Sequence, residues 1–428
     1  SRTVYISPNG ILNGYVTSEL FKTGDDGRIL PVGLAYIKGK NKYAGDTNKL
    51  RYALMGDPAM RLNNIRNIVT VDSIAGMDMT TSQAMPEITA GSRLDVAGCV
   101  RTPEGDIDTG FDGTVNLLLY DAETVVQTYG NGKNGESRMY NDRKTRLASV
   151  NASVRQGRFK CRLTVPLEIS NNYQPALLSA YAWSDKGAEA NGYSESLYVY
   201  GFPDTEDADT IGPKIDYFYL NTDRFEDGDI VNPNPVAFIR LSDPAGINVS
   251  DAGVGHRISL ILDKQHPYDD VSQHFVPDVD DTAGSVAYAL SDLPAGDHTL
   301  TLEAWDNLNN STRHTIRFKV NATADPRIVN VGTDCNPATS GVTFRISLDQ
   351  PNTEMKCELQ VMDLNGRVIW SDTSTDSTGL TSQLSTYWNL CDKSGTRVPR
   401  GIYLYRVRIE TPQGNWASKT NKLAVTAQ

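Results

Sequence analysis

Histidine is scarce in this chain. Five occur in 428 residues, His256, His266, His274, His298 and His314, and none precedes position 256. A Ser/His/Asp or Cys/His nucleophile needs an imidazole within hydrogen-bond reach, so the first 255 residues hold no local base for one. The stretch that carries the histidines has no cysteine, and a pair such as His256 with Cys357 would have to form across segments. His298 and His314 fall in or beside strand-like runs with no converging ligands, and they read as structural. Cysteine is scarce too. Cys99, Cys161, Cys335, Cys357 and Cys391 are odd in number and irregularly spaced, so no zinc pattern forms and at least one thiol is unpaired or pairs with another chain. Cys99 and Cys161 share one β-rich stretch and the other three share the tail, which leaves one or two disulfides and buried free thiols both open. Positive charge is in deficit: 41 Lys and Arg against 52 Asp and Glu give −11, which argues against a nucleic-acid face or electrostatic docking on anionic lipid. There is no run of 18 apolar residues, no P-loop, no dinucleotide fingerprint and no zincin motif.

What is present is ordinary folded protein, 39% hydrophobic and 22% charged. The length suits roughly three or four domains. The start, Ser1-Arg2-Thr3-Val4-Tyr5-Ile6, has neither an initiating Met nor a signal-peptide pattern, and the expectation is that the chain begins inside a longer protein.

Residues 1–64 read as α/β. Val4-Tyr5-Ile6 suggests a short strand and Ser7-Pro8-Asn9-Gly10 a turn. Apolar positions from Ile11 to Phe21 have helical spacing, and Leu30 to Lys38 suits a second helix with Pro31 in its first turn. The segment is too short to be a comfortable domain and looks like the end of one. Residues 65–203 turn to strands, among them 68–71, 93–97, 115–120, 159–165 and 176–183, with a polar exposed loop from Gly130 to Arg146; this predicts a β-sandwich. The acidic stretch Pro203 to Asp209 reads as a linker. Strand candidates at 214–220, 236–241, 257–262, 286–290, 298–305 and 314–320 predict an immunoglobulin-like sandwich over 212–322. Residues 322–326 link it to a last β-sandwich over 327–428. There, Asp363-Leu364-Asn365-Gly366-Arg367 predicts a hairpin with Asn365-Gly366 as its two-residue turn. Next, Gly401 to Val407 predicts a strand with Ile402, Leu404 and Arg406 on one face and Tyr403, Tyr405 and Val407 on the other. The fold class is therefore mainly β, an α/β end followed by three β-sandwiches.

Few residues offer chemistry. Asp269-Asp270 and Asp278-Val279-Asp280-Asp281 are oxygen-rich and can suit calcium, though the EF-hand spacing is absent and a solvated loop is the simpler reading. Asp306-Asn307-Leu308-Asn309-Asn310 reads as a turn, and Asn309-Asn310-Ser311 is a glycosylation sequon that matters only in a glycosylating compartment. Asp57 in Gly56-Asp57-Pro58 can be a catalytic acid or, more simply, a turn cap. No catalytic, cofactor-binding or metal residue, and no cofactor, is assigned from the sequence.

Several stretches resemble one family in order. Ser1 to Gly10 and Tyr52-Ala53-Leu54-Met55-Gly56-Asp57-Pro58-Ala59-Met60-Arg61-Leu62 resemble the closing segment of a gingipain-type, caspase-like cysteine peptidase domain. Leu241 to Asn248, Gly253 to Ile258, Leu293 to Leu300 and Ala304 to Ser311 resemble the region that follows it in the sortases of type IX secretion systems. Asp363 to Arg367, Gly401 to Tyr405 and Lys422 to Val425 resemble the FlgD-like type IX C-terminal domain, although Cys335-Asn336-Pro337 departs from that domain's usual opening. The resemblance implies a cell-surface enzyme of a Gram-negative, Bacteroidetes-type bacterium that uses a Cys nucleophile with a His base. Such an enzyme removes the C-terminal signal of type IX cargo and transfers the cargo to lipopolysaccharide. Its dyad would lie before Ser1, so no catalytic residue falls on this chain. It further implies docking of residues 327–428 to the outer-membrane barrel PorV, in an attachment complex with PorZ and PorQ. The alternative is a non-catalytic adhesin, or a secreted gingipain-like protease, whose tail is a cleavable secretion signal.

Overall fold

The computed structural model describes residues 6–426, apart from 26–27, 46–47, 64, 132–134, 204–208, 253–254, 265, 269–270, 322 and 324. The chain is mainly β, as its alternating strands require. The expected strand at Val4-Tyr5 lies outside the described residues, as do most of the 203–209 linker and parts of the 322–326 linker.

The N-terminal segment holds two helices, Ile6–Leu20 and Val32–Lys42. The first absorbs Ser7-Pro8-Asn9-Gly10, where the sequence predicts a turn. Pro8 sits in the first helical turn, where its missing N–H is no loss. Packing decides the rest. A Cβ on Gly39 would lie 2.6 Å from the Val16 Cα, so only glycine lets the second helix come this close to the first. Glu19, 4% exposed in its side chain, pairs with Lys22 at 2.6 Å and with Lys42. The bonds to those two lysines hold its carboxyl down to about 2.

The strands then gather around three separate cores. The first includes Leu94, Val115, Leu117, Leu147, Leu163 and Leu178. It lies inside one eight-stranded sheet whose main order is Arg146–Val154, Gly113–Tyr120, Leu177–Ser184, Glu189–Ser194, Asn67–Ile74, Arg93–Arg101 and Arg158–Thr164. The two end strands meet at the Arg155–Arg158 bridge, so the sheet rolls around its core. Part of the expected Gly130–Arg146 loop is strand: Met139–Asp142 pairs with Thr124–Gln127.

The second core lies between a four-stranded sheet (Lys214–Leu220, Val236–Ser242, Ala283–Ala289, Phe275–Pro277) and a five-stranded one. The latter runs Ile230–Val231, Ser311–Val320, Gly296–Trp305, Ser259–Leu262 and His266–Tyr268. The third lies between Ile328–Thr333, Val342–Leu348 and Gln383–Trp388 on one side and Val368–Ser377, Glu354–Met362, Gly401–Glu410 and Trp416–Val425 on the other. Trp388 is fully buried there; its Nε1 donates to the Cys391 carbonyl at 2.8 Å and its ring stacks on Trp370.

The tail hairpin differs in detail from expectation. Its turn runs from Asp363 to Gly366, with Gly366 N–H donating to the Asp363 carbonyl at 3.0 Å and Gly366 at φ +81°. Asn365-Gly366 is thus not the two-residue loop; Leu364 and Asn365 are central and Gly366 supplies the left-handed bulge that follows. Asp363 Oδ1 accepts from the amides of Asn365 and Arg367, which favours this longer turn. Asp392 to Gly395 repeats the device, with Asp392 Oδ1 accepting from Ser394 and Thr396 and Gly395 at φ +81°.

Candidate functional site

Among the described residues, three acidic side chains come together near where the first two strand groups meet. Asp243 follows the strand Val236–Ser242, Asp306 follows Gly296–Trp305, and a bridge between Ile247 and Asp306 draws the two loops together. Asp209 joins them from the chain leading in, and one carboxylate oxygen of each lies within 4.8 Å of the others. Asp243 is 5% exposed and Asp306 0%. Each is fixed by its own loop. Asp243 Oδ1 accepts from Ala245 N–H at 2.7 Å, and Asp209 Oδ1 from Ile211 N–H at 3.0 Å. Asp306 accepts from the Leu308 and Asn310 amides and from Asn310 Nδ2. Burial pushes the Asp243 carboxyl up to about 6 against the pull of the Ala245 amide, and the charges of Asp306 and Asp209 push the same way. Asp306 is raised as well, first by burial, while its bonds to Asn310 and Leu308 oppose the shift. Among the described residues no Lys or Arg pairs with the three. Such a donor set suits a hard divalent cation, but three oxygens are about half of what calcium takes.

The same junction carries several cross-links. Asp281 Oδ2 accepts from Thr164 N–H at 2.5 Å, and Asn307 O from Leu167 N–H at 3.0 Å. Arg146 donates to Val249 O at 3.0 Å, and Asn151 Nδ2 to Pro277 O at 2.8 Å. His256 lies against Trp305 with centroids 4.2 Å apart and the rings tilted by 41°, and its Nδ1 lies 2.5 Å from Glu168 Oε1 but out of line for a hydrogen bond. Among the described residues, contacts from the second strand group to the tail are fewer, with Asn232 Nδ2 donating to Pro351 O at 3.0 Å. Beside them lies a polar cavity of 930 Å³ lined by Asn221, Arg224, Asn321, Arg327 and Lys419.

The residues singled out from the sequence are dispersed. Asp278 bonds Arg240 at 2.6 Å, Asp280 caps Thr282 at 3.0 Å, and Asp269 and Asp270 lie outside the described residues. Asp57 Oδ1 accepts from Ala59 N–H at 2.8 Å, as a turn cap does. His298 is held at both ring nitrogens, 2.8 Å from Asp263 Oδ2 and 2.9 Å from Pro294 O. Burial opposes its charge, yet those two acceptors outweigh it and raise its pKa. All five cysteines are free. Cys161 lies opposite Val96, three residues from Cys99, so the two thiols point to opposite faces of the sheet and cannot meet across it. Cys161 faces the core, where burial pushes its thiol up to about 12. Cys357 is likewise buried in the tail and raised to about 11, far from reactive thiolate character. No cysteine is placed beside a histidine among the described residues. The Asp209–Asp243–Asp306 cluster was missed, since the sequence shows an Asp after each of two strands but not that the strands end side by side.

One further feature is apolar. Around the helix pair, Ile11, Phe21, Ile37 and Met60 are exposed, Leu50 is 83% exposed and Met55 95%. Leu12, Val16, Tyr36 and Tyr52 line a cavity of 510 Å³ between the helices. Helix Val32–Lys42 packs Gly33 against Pro58 and Gly39 against Val16, while its Leu34 and Ile37 stay exposed.

No protein-family model matches the chain, and no curated protein matches it. Among solved structures it is similar to dimeric latent PorU from Porphyromonas gingivalis, with 27% identity over 96% of this chain and 39% of that chain and a TM-score of 0.41. The chain thus spans 39% of the PorU chain it matches. It is also similar to SGBP-B of the Bacteroides ovatus mixed-linkage glucan utilization locus, 14% identical over 84% of this chain and 71% of that one with a TM-score of 0.26. A tetra-tandem repeat of a large adhesion protein is 15% identical over 84% of this chain and 74% of that one, with a TM-score of 0.18. Superpositions this loose carry no argument about function. No helix among the described residues is long and apolar enough to cross a membrane.

Proposed function

We propose that this chain is the C-terminal part of a cell-surface, cysteine-peptidase-type sortase of a type IX secretion system, related to PorU. In this reading the catalytic Cys and His belong to a domain whose closing helices are Ile6–Leu20 and Val32–Lys42. The strand groups position that domain, and residues 327–428 dock to the PorV barrel within an attachment complex that includes PorZ and PorQ. The whole protein then removes the C-terminal signal of secreted cargo and passes the cargo, as a cysteine-bound acyl group, to lipopolysaccharide.

The observation that carries this reading is the apolar exposure around the helix pair. Leu50, Met55, Phe21 and Ile37 are large apolar residues left exposed in and around that pair, which supports a helix pair that is covered in the whole protein. The family motifs, which follow one another from Gly56-Asp57-Pro58 to Lys422-Leu423-Ala424-Val425, name what covers it. Deletion of 327–428 from the full protein tests the docking role. Loss of PorV co-purification together with accumulation of unprocessed cargo is expected. Unchanged co-purification contradicts the role of the tail, and normal cargo processing without the protein contradicts the sortase reading.

A further inference from the structure

We propose that the outward face of the strand pair Leu177–Ser184 and Glu189–Ser194 is a binding platform for an uncharged glycan. Strand alternation turns Leu178, Ala180 and Ala182 into the core and Tyr181 and Trp183 outward. The register sets Tyr193 beside Ser179, Asn191 beside Tyr181 and Glu189 beside Trp183. On the other flank Asn116 stands beside Tyr181 and Thr114 beside Trp183. Three aromatic side chains are therefore displayed on one face, with Tyr193 71% exposed.

The platform is built rather than incidental. The Tyr181 and Trp183 rings stack on one another, with centroids 5.8 Å apart and planes at 29°. Tyr181 Oη donates to Glu189 Oε1 at 2.7 Å, and Asn63 Nδ2 donates to the other oxygen of Glu189, so the ring is held before any ligand arrives. A preorganised ring loses little freedom on binding. Both strands are interior to the sheet, with neighbours on each side, so recognition comes from side chains rather than from strand addition.

Charge selects the occupant. The chain as a whole carries −11, yet Glu189 is the one ionised side chain in the three outward rows Thr114–Leu118, Ser179–Trp183 and Glu189–Tyr193, and it is engaged by Tyr181 and Asn63. A polyanion meets only the like charge of Glu189, and a polycation meets that single carboxylate, already engaged by Tyr181 and Asn63. A neutral sugar chain does find partners: its C–H faces lie on the aromatic rings, and its hydroxyls meet the amides of Asn116 and Asn191 and the hydroxyls of Thr114 and Ser179. The proposal does not depend on the sortase reading.

Calorimetric titration of the intact chain with cellohexaose, laminarihexaose, mannohexaose and maltohexaose, and with polygalacturonate as the charged control, tests it. At least one neutral hexaose is expected to bind, and Trp183→Ala is expected to weaken it about tenfold or more while the melting temperature holds. If Trp183→Ala fails to fold, Tyr193→Ala, at a position 71% exposed, gives the same readout. Binding of none of the neutral probes, binding of polygalacturonate alone, or affinity unchanged in both variants overturns the proposal. So does self-association that Trp183→Ala abolishes without any glycan binding, since the face would then belong to a second copy of the chain.

Discussion

At the scale of single residues, the junction aspartates carry the clearest consequence. Asp243 titrates at about 6 in the folded chain against an ordinary 3.8, because burial and its two acidic neighbours disfavour the charge. A carboxyl raised in this way favours the fold at low pH, and that advantage is lost as pH rises from the unfolded value through about 6. Above that, ionisation works against the fold by up to about 3 kcal/mol at roughly 1.4 kcal/mol per unit. Asp243→Asn keeps an oxygen for the Ala245 amide and removes the charge. In a chelator at about pH 8 it is expected to raise the melting temperature, and at about pH 4 to leave it unchanged. A loss of stability at pH 8 under those conditions would mean that the Asp243 charge is compensated in the fold. The cysteines point the other way: with thiols raised to about 11 or 12, Cys357 and Cys161 are packing residues, and no chemistry is asked of them.

At the scale of elements, the turns tie sequence to register. Gly366 and Gly395 both sit at φ +81° behind an aspartate that collects two amides, so the same short pattern, Asp-x-x-Gly, closes two of the loops of the tail. A Cβ on Gly366 meets nothing within 4 Å, so Gly366→Ala isolates the conformational term. It is expected to destabilise the chain by about 1 kcal/mol, with Leu364→Ala nearly silent, as read by chemical denaturation. Equal effects would place the cost in side-chain contacts instead. Strands were the part most legible in the sequence. Lys214–Leu220 matches its expected bounds, and in Gly401–Glu410 the alternation was visible, with Tyr403, Tyr405 and Val407 on the buried side. The first helix was legible only in its second half. Ser7-Pro8-Asn9-Gly10 has the composition of a turn, and what overrides it, the seating of Val16 on Gly39, comes from residues more than 20 positions away. The acidic cluster was hidden for the same reason: Asp209, Asp243 and Asp306 converge only once two sheets have stacked.

At the scale of the whole molecule, the chain is graded from one end to the other. Around the helix pair large apolar residues are exposed, and among the described residues more hydrogen bonds join the first two strand groups than join the second to the tail, where Asn232 bonds Pro351. The sortase and cargo readings differ in the fate of that tail. In the cargo reading the tail is a signal to be removed; in the proposed sortase reading it is kept and holds the enzyme at its site. The intact mass of the protein isolated from the cell surface decides between them. A mature form that keeps residues 327–428 is expected, and a mass that ends near Pro326 would contradict the account.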